Sequence, residues 1–101
     1  MSEARIELQG EGRFAVRGEL SFATVPALLR SSLTLFEAAP RLDIDLSGVE
    51  RSDSAGLALL VEWMREARRH DKPVRFLNTP RQMLAIARVS SLDQILPLVR
   101  D

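Results

Sequence analysis

Between Leu42 and Leu60 the apolar period of the chain changes from two to helical. Leu42, Ile44 and Leu46 alternate with Asp43 and Asp45, as side chains do on a strand. After Gly56 the apolar residues Leu57, Leu60, Val61, Met64 and Ala67 fall on one helical face. Only the short run Ser47 to Ser52 separates the two patterns. A strand that feeds straight into a helix of about seventeen residues is half of a strand-helix-strand unit, which restricts the chain to folds that mix the two elements in alternation.

The flanking residues extend that alternation. Ile6 and Leu8 alternate with Arg5, Glu7 and Gln9, and Phe14, Val16 and Leu20 with Arg13, Ala15, Arg17 and Glu19. Gly10-Glu11-Gly12 lies between them, so a hairpin of two half-buried strands is expected. Thr24-Val25-Pro26 has the form of a helix start. Val25, Leu28, Leu29, Leu33 and Phe36 continue at helical spacing towards Ala39-Pro40. The long helix is expected from Ser54 to His70. Val74, Phe76 and Leu77 form the last strand. Thr79-Pro80-Arg81-Gln82 reads as a capping box ahead of a third helix. Ser91-Leu92-Asp93-Gln94 repeats that logic for a short final one, which Pro97 ends. A strand buried on both faces would be apolar throughout. Asp43 and Asp45 interrupt the third strand, so its sheet is expected to carry helices on one face and to leave the other to water.

Composition excludes several kinds of function. The 101 residues suit one domain spanning 1–101, with a single core. Fourteen basic residues balance fourteen acidic ones, which gives no electrostatic reason to expect a nucleic acid. No cysteine and a single histidine, His70, leave no thiol nucleophile and no multi-histidine or thiolate metal site. No Ser-His-Asp set can be assembled, and Gly48 and Gly56 lack the lysine of a phosphate-binding loop. No catalytic residue, metal or cofactor is therefore expected. No window has the roughly 18 apolar residues of a membrane span, and the first residues lack a signal-peptide core. A cytoplasmic protein with no direct membrane insertion is expected.

The segment Asp45-Leu46-Ser47, followed by Asp53-Ser54-Ala55-Gly56-Leu57, resembles the signature of STAS domains, the fold of bacterial anti-sigma factor antagonists. The resemblance runs over nearly the whole chain. It implies an α/β STAS fold: a mixed four-stranded sheet with three to four helices covering mainly one face. Gly56 to Val61, and the stretch Leu84-Ala85-Ile86-Ala87-Arg88 with Leu92 and Ile95-Leu96-Pro97, resemble the small STAS subunit of Mla-type ABC transporters. These move phospholipid between the membranes of Gram-negative cells. That resemblance implies a non-catalytic subunit that binds and supports the transporter ATPase, peripheral to the inner membrane through its complex. The alternative it leaves open is an anti-sigma factor antagonist whose partner kinase phosphorylates Ser54.

Ser54 can be a helix cap, a phosphoacceptor or an unmodified contact residue, and the contact role is favoured here. Orphan N–H groups and the helix dipole at that point suit an acceptor or an anion. The small residues Ala55 and Gly56 leave room for the turn and for another protein to approach. Leu59 and Trp63, spaced i,i+4, lie at the edge of the apolar face, where they either tuck under a neighbour or offer an apolar flank to a partner. The expected partner-binding set is Ser52, Asp53, Ser54, Ala55, Gly56, Leu59 and Trp63.

Overall fold

A computed structural model describes residues 3–99. Strands β1 (Arg5–Gly10) and β2 (Arg13–Leu20) form the expected hairpin, with Gly12 at φ +67° in its turn. Helix α1 (Val25–Phe36) follows, then β3 (Leu42–Ser52), α2 (Ser54–Arg69), β4 (Val74–Leu77), α3 (Arg81–Val89) and a single 3₁₀ turn, Leu92–Gln94. The sheet order is β1-β2-β3-β4. The first pair is antiparallel and the other two are parallel. A mixed four-stranded α/β sheet is thus the architecture, as the STAS resemblance implies.

The core lies between the sheet and the helices. Phe14, Val16, Ile44, Leu46 and Phe76 from the strands meet Leu28, Phe36, Leu57, Leu60, Met64 and Met83 from the helices. The opposite face carries Arg13, Asp43 and Arg75 in register across β2, β3 and β4. That face is less wet than the sequence implies. Asp43 is 6% exposed, because the guanidinium groups of Arg75 and Arg41 fold over it.

Four local expectations differ from the structure. The third strand does not stop at Leu46 but runs to Ser52, because β2 continues beside it to the pairing of Leu20 with Ser52. Gly48 passes so close to β2 that a Cβ there would lie 2.8 Å from the Val16 carbonyl oxygen. Leu8, read as half-buried, is exposed on the outer strand. The capping box at Thr79 does not form: α3 has no side-chain cap, and the Thr79 hydroxyl is buried without a partner. The final turn at Ser91 likewise has no side-chain cap, Ser91 itself being left-handed at φ +62°.

Candidate protein-docking site

Strands β2 and β3 run parallel, so the chain leaves both at one end of the sheet. The Asp53 N–H donates to the Leu20 carbonyl at 3.1 Å, which holds the two exits side by side. From Leu20 the chain turns through Ser21-Phe22-Ala23-Thr24 into α1; from Ser52 it turns through Asp53 into α2. The carboxyl ends of parallel strands are where open α/β sheets present their binding surfaces.

Asp53 caps α2. Its backbone is extended and its carboxylate accepts the Ala55 N–H at 2.8 Å. The cap role considered for Ser54 therefore belongs to its neighbour. Ser54 is the first helical residue, exposed, and its hydroxyl bonds to no described residue. The hydroxyl thus stands at the positive end of a sixteen-residue helix with no structural duty.

Behind it the turn is packed tightly. Ser52 is buried and its hydroxyl donates to the Asp53 carbonyl at 2.9 Å. A Cβ on Gly56 would lie 2.0 Å from the Ser52 Oγ and 3.2 Å from the Leu20 Cβ. Gly56 is thus required by the close passage of α2 over the end of β2 and β3. Ala55, 5% exposed, faces inward as well. Of the expected contact residues, the structure puts Asp53 and Ser54 at the surface and Ser52, Ala55 and Gly56 beneath them.

Leu59 and Trp63 are a correction. They are 1% and 0% exposed, inside the core rather than on a flank. The Trp63 indole N–H donates to the Ser32 hydroxyl at 2.7 Å, and its ring stands edge-on to Phe36 with centroids 5.8 Å apart. The wheel placed both at the border of the apolar face; α1 covers that border, which widens the buried stripe of α2. An indole needs a donor partner when buried, and Ser32 of α1 supplies it.

The residue missed was Phe22. It is 74% exposed, in the turn that emerges beside Asp53. That turn is stiff: the Ser21 N–H donates to the Thr24 hydroxyl at 3.0 Å, the Thr24 hydroxyl donates to the Glu19 carbonyl at 2.7 Å, and the Ala23 N–H donates to the Ser21 hydroxyl at 3.2 Å. An exposed phenylalanine on a hydrogen-bonded turn offers an apolar contact at a reduced backbone ordering cost. The available signal was an aromatic residue between two hydroxyl residues ahead of a helix start, outside any periodic pattern.

The basic residues at the end of α2 serve structure. His70 meets Glu66 at 2.9 Å, and Arg69 also pairs with Glu66. The Lys72 ammonium donates to the Glu37 carbonyl at 3.1 Å and also to that of Phe36, which places a cation at the C-terminal end of α1 rather than of α2. Among the described residues no helix is long and apolar enough to cross a membrane.

Comparison with known proteins agrees with this architecture. The family model described as Mlab, STAS domain, matches residues 4–100. The intermembrane phospholipid transport system binding protein MlaB of Haemophilus influenzae is 34% identical over 81 residues, 75% of this chain and 76% of that protein. Among solved structures, an anti-sigma factor antagonist from Mycobacterium paratuberculosis superposes with a TM-score of 0.75 at 24% identity, covering 100% of this chain and 87% of the other. The anti-sigma factor antagonist SpoIIAA in its unphosphorylated form gives 0.68 at 20% identity, over 97% and 87% of the two chains. At those identities the two structures speak for the fold alone. With the family model spanning all but the outermost residues and a curated MlaB at 34% identity, the chain belongs to the STAS family and is a homologue of MlaB.

Proposed function

We propose that this chain is the STAS subunit of a Mla-type phospholipid-transporting ABC transporter, a non-catalytic protein that docks on the transporter's ATPase. It would then sit on the cytoplasmic side, peripheral to the inner membrane. The observation that carries this reading is the likeness to a curated phospholipid transport binding protein over three quarters of both chains.

The docking surface is the end of the sheet that holds Ser54 and Phe22. Ser54 gives a small polar contact at the start of α2, and Phe22 gives an exposed apolar anchor in the turn that leaves β2 at the same end of the sheet. The surface needs no modification: the Ser54 hydroxyl is free to meet a partner group directly. A phosphate there would add up to about two negative charges beside Asp53 and would repel a docked partner.

Co-purification with the ATPase of the proposed transporter tests the surface. Phe22→Asp and Ser54→Arg should each abolish it, Ser54→Ala should retain it, and Asp43→Asn on the far sheet face should leave it unchanged. Folded Phe22→Asp and Ser54→Arg proteins that still co-purify at the wild-type yield would refute the surface. Intact-mass measurement of protein from its native cells should show no adduct. A stoichiometric gain of about 80 Da at Ser54, the mass of one phosphate, would favour the anti-sigma factor antagonist instead.

A further inference from the structure

The residues Thr79-Pro80-Arg81-Gln82 carry the sequence of a capping box, yet neither of its bonds forms. In such a box the threonine hydroxyl accepts the N–H of the fourth residue, and the fourth side chain returns to the threonine N–H. Here the Thr79 hydroxyl is buried and unpartnered. The Gln82 side chain instead reaches a residue thirty positions away: its Oε1 accepts the Ser52 N–H at 3.3 Å. The helix has given up its local cap for a contact with the β3–α2 turn.

The reason lies in the unequal strands. β4 pairs with β3 only from Leu42 to Asp45, whereas β3 continues to Ser52. The last seven residues of β3 have no strand on that side. At Ser52 the Gln82 amide oxygen stands where a strand carbonyl would. On the other side the Asp53 N–H is held by the Leu20 carbonyl at 3.1 Å, and Asp53 then caps α2 through Ala55 at 2.8 Å. The turn that aims Ser54 is therefore gripped by β2 on one flank and by α3 on the other.

We propose that Gln82 is a positioning residue for this docking turn: by holding the Ser52 N–H it fixes the direction in which Ser54 and the first turn of α2 meet the partner. The proposal rests on the reading of that end as the docking surface. The Thr79 N–H of a local box and the Ser52 N–H would compete for the same Gln82 oxygen, so the turn is held only while that half of the box stays open.

Amide exchange followed by NMR on the free protein tests the grip, and titration with the purified ATPase tests its consequence. Gln82→Ala should speed exchange at Ser52 by between about two- and tenfold, the release of one ordinary hydrogen bond. Core amides such as Ile44 and Leu60 should change less. Affinity for the ATPase should fall by a similar factor. Gln82→Glu keeps an acceptor at the same reach and should restore both. Thr79→Val, which removes the hydroxyl and keeps the backbone N–H, should leave Ser52 as protected as in the wild type. Exchange at Ser52 that rises no more than at Ile44 and Leu60 would overturn the proposal, as would a loosened turn with unchanged affinity. A wild-type protein that fails to bind the ATPase refutes the docking reading alone; the exchange result then decides whether Gln82 holds the turn.

Discussion

Gly56 shows how little latitude the site leaves at a single position. It lies in the first turn of α2, a place where its backbone freedom costs helix stability relative to alanine. The structure requires it for want of space: a methyl group would meet the buried Ser52 hydroxyl at 2.0 Å. Gly56→Ala should therefore destabilise the fold by about 1–3 kcal/mol, as overpacking does, despite the better helix propensity of alanine. Adding Ser52→Ala removes the nearest atom and leaves contacts of 3.2 and 3.3 Å, so the double variant should recover part of the loss. Chemical denaturation of the single and double variants measures this coupling. The Asp-Ser-x-Gly run could be read as a helix start from sequence, but which of its residues caps could not. Asp53 and Ser54 are both good caps; Asp53 takes the role because Leu20 anchors its N–H and sets its extended backbone.

At the scale of elements, α1 and α2 are locked by one buried polar contact set in apolar packing. Trp63 spans them, bonding Ser32 through its indole and standing edge-on to Phe36, which itself meets Phe14 of β2 at 5.0 Å. Trp63→Ala should cost about 3–5 kcal/mol, enough to unfold much of a domain this size. Trp63→Phe keeps most of the apolar volume and removes the N–H donor; a loss of about 1–2 kcal/mol is expected, read from urea midpoints. Both helices were legible from their spacing. The burial of Leu59 and Trp63 was not, because a helical wheel fixes which residues share a face but not how wide a neighbour's cover is. The β3 boundary was hidden for a related reason. Ser47-Gly48 has the composition of a turn, and only pairing with the long β2 keeps it extended.

Across the whole molecule, the open sheet face is closed by charge rather than by a second layer of helices. Asp43 accepts from Arg75 at 3.0 and 3.2 Å and from Arg41 at 3.3 Å. The bond with Arg75, against the opposing effect of burial and with help from Arg41, holds the Asp43 carboxyl below the ordinary carboxylate range. A carboxylate whose value is depressed by folding adds stability that is fully present above its unfolded value of about 3.9. That stability is lost as the pH falls towards the folded value. Asp43→Asn should therefore lower stability at pH 7 by about 1 kcal/mol, the difference between charged and neutral hydrogen bonds. The difference between the wild type and the variant should begin to shrink below about pH 4 and close as the pH falls through the folded value, so denaturation should show a smaller difference at pH 3 than at pH 7. The sequence by itself determined the alternation of strands and helices and the small polar start of α2, because these depend on residue type and on periods that neighbouring residues set. Tertiary structure alone decided that Trp63 is core, that Phe22 stands exposed in the turn after β2, that Asp43 lies beneath two arginines and that Gln82 leaves its own helix to hold Ser52. Each of these depends on which distant segment arrives alongside, and a buried indole, amide or carboxylate takes whatever partner that packing brings within hydrogen-bond reach.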